Sequence, residues 1–204
     1  MNTPLRLLLA RHGETDWNRT GQYQGQRDIP LNETGQAQVQ ALAERLADEE
    51  IHAIHASDLA RAAETARVIG ARVGREPTLD ATWREIDIGA LTGIDFKTAP
   101  PHLRNVLHAV AHQEDPIAEG AETYDDIRRR MRDGFTRICE AHAGETVLVV
   151  GHGGTLKVLI ADLIGLPQES IDRLSLRGNA SLSEINFTHG RPQLVMINDT
   201  RHYR

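Results

Sequence analysis

The stretch of sequence that decides the fold is Leu5-Arg6-Leu7-Leu8-Leu9-Ala10-Arg11-His12-Gly13. Residues 5–10 form a short and largely apolar run, which is typical of a strand covered on both faces of a sheet. Arg11 and His12 follow at the C-terminal end of that strand. Ligands of parallel α/β sheets bind beyond the C-terminal ends of the strands. The sequence therefore predicts that Arg11 and His12 face a ligand site.

Further strands and helices alternate along the chain. Apolar runs at 51–56 and 147–150 predict two more buried strands, and residues 181–187 and 194–197 predict a terminal hairpin. This alternation predicts an α/β fold, a three-layer sandwich with a mainly parallel central sheet and helices on both faces. Apolar spacing predicts four helices, over 33–49, 59–73, 122–143 and 153–164. Asn32 is expected to cap the first, and Ser57-Asp58 to cap the second, which Gly74 ends.

Residues 92–120 interrupt the alternation. Pro100-Pro101 and Asp115-Pro116 bound a stretch whose apolar residues have helical spacing, namely Leu103, Val106, Leu107 and Val110. We interpret it as a small helical cap inserted into a single domain that covers residues 1–204. Loops on a rigid scaffold set specificity, so the cap is expected to lie over the pocket, although a helix packed elsewhere on the sheet is the alternative. Its polar residues that could meet the distal part of a substrate are Lys97, Arg104 and His108.

The composition is that of a globular protein with an acidic balance. Lys and Arg number 23 and Asp and Glu 29, a net charge of −6 with neutral histidines. This balance argues against nucleic-acid and acidic-membrane binding. The single Cys139 excludes an intrachain disulfide and a cysteine-rich zinc site, and it is expected in the core because it lies on an apolar helix stripe. We expect a cytoplasmic protein, since the N-terminal apolar run is too short for a signal or membrane segment.

Several residues at predicted strand or helix ends suit phosphate chemistry. A guanidinium presents a planar fork to phosphate oxygens, and a helix N-terminus offers backbone amides to an oxyanion. An unprotonated imidazole is a nucleophile towards phosphorus, which makes His12 the candidate nucleophile. The set requires no metal ion, because side chains supply the positive charge. The remaining candidates are the guanidinium groups of Arg11 and Arg61, the imidazole of His152 and the amides of Gly153 and Gly154.

Four ordered segments carry a resemblance to a known family. They are Leu9-Ala10-Arg11-His12-Gly13-Glu14-Thr15 with Trp17-Asn18, Gln24-Gly25 with Asp28-Ile29-Pro30-Leu31, Ser57-Asp58-Leu59-Ala60-Arg61-Ala62 with Thr65, and Gly151-His152-Gly153-Gly154. In order and spacing they resemble the histidine phosphatase superfamily, also called the phosphoglycerate mutase-like family. The resemblance covers the chain from about residue 7 to about residue 164.

The resemblance implies roles for individual residues. His12 is implied to be phosphorylated during turnover, and Glu85, within Trp83-Arg84-Glu85-Ile86-Asp87-Ile88-Gly89, matches the proton-transfer carboxylate. A poor alkoxide leaving group needs such a proton, and Asp87 stays open as the alternative donor. No cofactor and no metal are implied. The residues expected to bind the phosphoryl group or the substrate are Arg11, Asn18, Gln24, Arg61, His152 and Gly153.

The family contains both phosphatases and mutases. Phosphoglycerate mutases that resemble this chain carry a Glu-Arg-His-Tyr-Gly stretch where this chain has Glu85-Ile86-Asp87-Ile88-Gly89. The Arg and Tyr that would hold a carboxylated three-carbon acid are absent, and Asp87 is expected to repel one. The sequence therefore predicts a phosphatase for a small phosphorylated metabolite. A 2,3-bisphosphoglycerate-dependent phosphoglycerate mutase and a non-catalytic module that binds a phospholigand or a protein stay open, as do the substrate's identity and a homodimer.

Overall fold

The fold is built on one six-stranded sheet with the strand order β3-β2-β4-β1-β5-β6. The computed structural model describes residues 5–101, 104–112 and 116–203. Strands β1 to β4 are mutually parallel, whereas β5 runs antiparallel to β1 and β6 antiparallel to β5. The predicted mainly parallel sheet and its antiparallel hairpin are thus confirmed. The strands are β1 (Arg6–Arg11), β2 (Ala53–Ala56), β3 (Pro77–Leu79), β4 (Thr146–Gly151), β5 (Leu182–Thr188) and β6 (Arg191–Asp199).

Helices cover both faces of the sheet, which confirms the three layers. Successive side chains of a strand point to opposite faces, so Leu7 and Leu9 of β1 pack into one buried cluster and Leu8 and Ala10 into the other. The first cluster includes α4, α5 and α6, and the second includes α2 and α3. The helices are α1 (Asp16–Thr20), α2 (Glu33–Arg45), α3 (Ala60–Val73), α4 (Val106–Ala111), α5 (Tyr124–Ala141) and α6 (Gly153–Leu163).

Several helix ends differ from the prediction by one to four residues, and for two of them the contacts show the reason. Helix α2 ends at Arg45 because the next residues form turns: the Ala47 N–H donates to the Glu44 carbonyl, three residues back. Helix α3 begins without a side-chain cap of its own, and its Ala60 N–H donates to the Asp28 carboxylate over 2.7 Å. A loop distant in sequence therefore supplies the group expected from Ser57-Asp58. The C-terminal end of α3 is as predicted, with Gly74 in the left-handed region at φ 68°.

Within its described residues, the segment at 92–120 contains one short α-helix, α4. Its Val106, Leu107 and Val110 are buried, as the apolar spacing predicts. Leu103, which belongs to the same predicted stripe, and Asp115 lie outside the described residues. An isolated bridge pairs Gln22 with Asp95, which ties the segment to the loop after α1.

The prediction that Cys139 belongs to the core is wrong, because its side chain is exposed. The buried stripe of α5 runs through Ile127, Met131 and Ile138, and one further residue rotates the side chain by about 100° around the helix. Among the described residues, no helix is both long and apolar enough to cross a membrane.

Candidate active site

A pocket of about 270 Å³ lies where β1, β2 and β4 end. Arg11 pairs with Gly151 across β1 and β4, and Ala56 pairs with Val150 across β2 and β4. The residues that follow these strands therefore meet at one edge of the sheet, as the fold rule predicts. The residues that line the pocket are Arg11, His12, Asn18, Gln22, Tyr23, Gln24, Gly25, Arg61, Glu85, Ile86, Ile88, Arg104, Asn105, Val106, Leu107 and Gly154.

His12 is held as a neutral imidazole with one nitrogen free. Its residue is 2% exposed, and its Nδ1 lies 2.6 Å from the Gly13 carbonyl oxygen. A carbonyl oxygen can only accept, so Nδ1 carries the hydrogen and Nε2 keeps its lone pair. Burial, followed by the charges of Arg61 and Arg11, lowers the pKa of His12 well below its ordinary 6.5. This state can attack an electrophile such as phosphorus.

His152 lies beside His12 beneath the pocket. Its residue is fully buried, and the two imidazole centroids are 5.1 Å apart. The Nε2 of His152 lies 2.8 Å from the Ser57 Oγ, whereas its Nδ1 has no hydrogen-bond partner among the described residues. Burial is the main cause that lowers the pKa of His152 well below 6.5, and the charge of Arg61 comes second. His152 does not line the pocket surface but contacts the nucleophile candidate from below.

Two guanidinium groups lie at the pocket without a carboxylate partner in the described chain: Arg61 is fully buried and Arg11 is partly buried. Arg61 donates to the backbone carbonyls of Arg27 and Gly25 over 2.8 and 2.9 Å. Arg11 donates to the carbonyls of Arg177, over 2.6 Å, and Leu176. In the described part of the chain no carboxylate forms an ion pair with either group, and both Nε atoms are buried without a partner. Buried charges are normally paired, so this arrangement suits an anion.

Desolvation does not remove these two positive charges. Burial lowers the pKa of Arg61 to about 10 and also lowers the pKa of Arg11. The carboxylate of Glu85 opposes the shift in both cases. At neutral pH Arg61 therefore stays charged, and its charge is available to a phosphoryl group.

Glu85 is oriented by the N-terminus of α6. Its carboxylate accepts N–H bonds from Gly154 and Thr155, both over 3.1 Å, and from Ile86 over 3.0 Å. Carboxylates are favoured at helix N-termini. Asp87 is not part of the pocket lining, and its carboxylate accepts the Gly89 N–H over 2.9 Å. The geometry thus places Glu85, and not Asp87, where a proton could be exchanged with a bound ligand.

The remaining predicted binding residues differ in how they are placed. The Asn18 Oδ1 accepts the Asn179 amide over 3.0 Å and the Thr15 N–H, which leaves the Asn18 NH₂ group to donate into the pocket. Gln24 lines the pocket with its Oε1 buried and without a partner in the described chain. Gly153, the first residue of α6, lies outside the pocket lining.

The sequence predicts that the amides at the start of α6 are available to an oxyanion, and the structure differs from this prediction. Gly154 lines the pocket, but its N–H already donates to Glu85. Gly153 instead lies against Arg11: a Cβ built on Gly153 would be 3.3 Å from the Arg11 Nε. The Gly154 amide is therefore engaged by Glu85, and Gly153 lies outside the pocket lining.

Of the three polar residues expected to meet the distal part of a substrate, one lines the pocket. Arg104 does so, with its Nε donating to the Ala99 carbonyl over 3.2 Å. Lys97 is exposed, and His108 is turned towards Asp172 and stacked on His112 at 4.0 Å. The distal wall is otherwise largely aliphatic, formed by Ile86, Ile88, Val106 and Leu107.

Sequence reasoning missed Ser57 and Asn179 as partners of site residues. Ser57 contacts His152 over 95 positions of sequence, and Asn179 contacts Asn18 over 161. Spacing along the chain cannot reveal such contacts. The pairing of β2 with β4 could have suggested the first, because Ser57 and His152 follow neighbouring strands.

Comparisons with known proteins agree on a family. A family profile described as "Histidine phosphatase superfamily (branch 1)" matches residues 7–200. A protein of Yersinia enterocolitica named "Probable phosphoglycerate mutase GpmB" is 35% identical over 185 residues, which cover 90% of this chain and 85% of that protein. A similarly named protein of Photorhabdus laumondii is 35% identical over 189 residues, 91% of this chain and 86% of that one.

Solved structures of phosphatases share the fold. A mycobacterial glucosyl-3-phosphoglycerate phosphatase in complex with VO3 is 32% identical with a TM-score of 0.85, covering 95% of this chain and 98% of that one. A phosphoserine phosphatase variant of Entamoeba histolytica in complex with phosphoserine is 26% identical with a TM-score of 0.86, covering 98% and 100%. Since the family profile and these relatives extend over nearly the whole chain, the protein belongs to branch 1 of the histidine phosphatase superfamily.

Proposed function

We propose that this protein is a phosphatase that hydrolyses a small phosphorylated metabolite through a phosphohistidine at His12. The observation that carries the proposal is the neutral His12, whose Nε2 keeps its lone pair, beside the guanidinium groups of Arg11 and Arg61, which form no ion pair among the described residues. Such a site attracts a phosphate dianion and presents a nucleophile to it. The phosphatase structures similar to this chain support the same reading.

The proposed reaction has two phosphoryl transfers. In the first, the His12 Nε2 forms a bond to phosphorus while the bond from phosphorus to the ester oxygen breaks, and Glu85 gives that oxygen a proton. In the second, a water oxygen attacks the phosphohistidine, the N–P bond breaks, and Glu85 takes the proton from the water. Arg11, Arg61 and His152 would stabilise the charge on the equatorial oxygens. The products are an alcohol and inorganic phosphate, and Glu85 returns to its starting state.

The proposed mechanism needs no metal ion, because side chains supply the positive charge around the phosphoryl group. We therefore expect hydrolysis of an aryl phosphate to continue in excess chelator. Activity that disappears with chelator and returns with one divalent metal would contradict this part of the proposal.

A phosphoglycerate mutase is the second candidate function, favoured by the names of the sequence relatives. A mutase must hold a carboxylated acid while the phosphoenzyme persists. Ile86 and Ile88, which line the pocket after Glu85, offer no charge to a carboxylate. Asp87 does not line the pocket, so it does not present at the pocket wall the repulsive charge expected from the sequence. Arg104 is the cation left on that wall, and the two functions must be separated by experiment.

Product analysis by ³¹P NMR separates the candidates. The protein is incubated with 3-phosphoglycerate, with and without 2,3-bisphosphoglycerate, and with a panel of other phosphomonoesters. The proposal predicts release of inorganic phosphate from at least one ester without bisphosphoglycerate. Conversion of 3- into 2-phosphoglycerate that depends on bisphosphoglycerate and releases little phosphate would establish the mutase. Phosphate binding without turnover would indicate a binding module.

A further inference from the structure

We infer that Ser57, a buried residue between β2 and α3, fixes the tautomer of His152 so that its Nδ1–H points at the phosphoryl group. Its effect on turnover rests on the proposed function, whereas the tautomer itself rests on the hydrogen bond between Ser57 and His152. Ser57 is a positioning residue in this scheme, because it acts through His152 and does not touch the substrate.

The pairing of strands places Ser57 and His152 side by side. Ala56 of β2 is in register with Val150 of β4, and the Ser57 N–H donates to the Val150 carbonyl over 3.0 Å. His152 follows two residues after Val150. Two neighbouring parallel strands thus deliver one side chain each to the same point, and the Ser57 Oγ reaches the His152 Nε2 at 2.8 Å.

The surroundings of Ser57 decide the direction of this hydrogen bond. The Ser57 Oγ accepts the Leu59 N–H over 3.3 Å, and the residue is fully buried. Among the described residues, the His152 Nε2 is the acceptor within reach of its hydroxyl hydrogen. A buried hydroxyl without an acceptor is costly, so the hydroxyl donates to Nε2. A neutral imidazole that accepts at Nε2 carries its hydrogen on Nδ1.

The Nδ1–H of His152 then lacks an acceptor among the described residues. Nδ1 is buried and without a partner in the described chain. After burial, the groups that lower the pKa of His152 are Arg61, His12, Arg11 and Arg130. Buried donors are almost always satisfied, and an unsatisfied one costs about 1–3 kcal/mol. A phosphoryl oxygen bound between these groups supplies the acceptor. The opposite tautomer would direct a lone pair at that oxygen and repel it.

The two histidines reach the same tautomer by opposite means. The Gly13 carbonyl accepts from the His12 Nδ1, and this leaves the lone pair on Nε2 facing the pocket. The Ser57 hydroxyl donates to the His152 Nε2, and this leaves the hydrogen on Nδ1, which is buried beside His12 without a partner among the described residues. One imidazole is thereby set as a nucleophile and its neighbour as a hydrogen-bond donor.

The direct test is the tautomer itself, read from ¹⁵N chemical shifts of the two His152 nitrogens in ¹⁵N-histidine-labelled protein at neutral pH. Assignment uses a His152→Gln sample as the reference spectrum. We expect a protonated Nδ1 and an unprotonated Nε2. A protonated Nε2 in the unaltered protein would overturn the inference, whether or not any variant folds and whether or not the protein is a phosphatase.

The functional test compares Ser57→Ala with Ser183→Ala. Ser183, on β5, is a matched control that does not line the pocket. It is also buried, and its Oγ accepts one hydrogen bond of 3.0 Å from the Asn198 N–H. Loss of a partner that orients a site residue costs about 10- to 100-fold in activity. We expect a loss of that size in kcat for Ser57→Ala, a parent-like kcat for Ser183→Ala, and partial recovery in Ser57→Thr, which restores the hydroxyl.

The tautomer of the variants distinguishes positioning from a structural role. In Ser57→Ala the hydroxyl that donates to Nε2 is gone, so the ¹⁵N shifts should show that His152 is no longer held with its hydrogen on Nδ1 alone. The groups that act on His152 are Arg61, His12, Arg11 and Arg130, and all of them are retained in the variant. Ser183→Ala should keep the tautomer of the unaltered protein. An unchanged tautomer in Ser57→Ala, or a loss of kcat matched by Ser183→Ala, would overturn the inference.

Discussion

Acidification should destabilise this protein through two histidines at its active site. His12 and His152 are 2% and 0% exposed, and the pKa of each lies well below its ordinary 6.5 in the folded chain. In the unfolded chain both return to about 6.5. Below that pH the two histidines are protonated in the unfolded state but stay neutral in the folded state. The free energy of unfolding therefore decreases as the pH falls below about 6.5.

The size of the loss follows from the two ionisations. Between about pH 7.5 and about pH 5.5, each histidine that stays neutral when folded removes on the order of 1 kcal/mol from the free energy of unfolding, and the pair on the order of 2–3 kcal/mol. His55 and His202, whose pKa values are also lowered chiefly by burial, act in the same direction. Asp58 and Glu184 have ordinary pKa values of 3.8 and 4.5, and the folded structure lowers both. These carboxylates therefore titrate below the range from about pH 7.5 to about pH 5.5.

The assay is urea unfolding at both pH values in phosphate-free buffer, since an anion that binds the folded state would add stability of its own. His152→Gln should reduce the pH-dependent difference in unfolding free energy by on the order of 1 kcal/mol. Val195→Ala, at a 56% exposed residue without a titratable group, serves as the control and should leave the difference as it is. A difference in His152→Gln equal to that of the unaltered protein would refute the reasoning.

Three further predictions concern catalysis. His12→Ala should abolish turnover and acid-labile phosphate on the protein while the fold is kept, as judged by intact mass and circular dichroism; phosphohistidine in this variant would move the nucleophile elsewhere. Glu85→Gln should lose activity on an alkyl phosphate by on the order of 10²-fold or more, and far less on an aryl phosphate, whose leaving group departs unaided; equal losses would assign the proton to water. Arg104→Ala should change the ranking of substrates in a phosphomonoester panel, whereas Lys97→Ala should not, because only Arg104 lines the pocket; identical rankings would place selectivity in the loop at 20–30.

The central sheet could be predicted because its strands are covered on both faces. Such strands read as unbroken apolar runs, as in residues 7–10 and 147–150, and these are the parts of β1 and β4 that are fully buried. Strand β3 could not be predicted, because it has three residues, begins with Pro77 and lies at the edge of the sheet. An edge strand of that length has no periodicity to detect.

The site could be predicted as far as its residues follow strand ends. Arg11 and His12 after β1 and His152 after β4 obey one geometric rule, so the pattern of strands was sufficient to bring them together. Which polar residues of the segment at 92–120 face the pocket could not be predicted, since that depends on tertiary contacts. His108 is drawn away by Asp172, which lies 64 positions further along the chain.

One electrostatic arrangement prepares both the nucleophile and the anion site. Arg11 and Arg61 are bound by backbone carbonyls, which orient the guanidinium groups without neutralising them. Together with burial, which is the larger cause, their charge lowers the pKa of His12, and it suits an anion although the whole chain carries a net charge of −6. Carboxylates in place of those carbonyls would oppose the field and weaken both effects. Glu85, whose charge acts on both guanidinium groups, is instead bound by the amides of α6, which leaves those groups without an ion pair among the described residues and open to the proposed phosphoryl group.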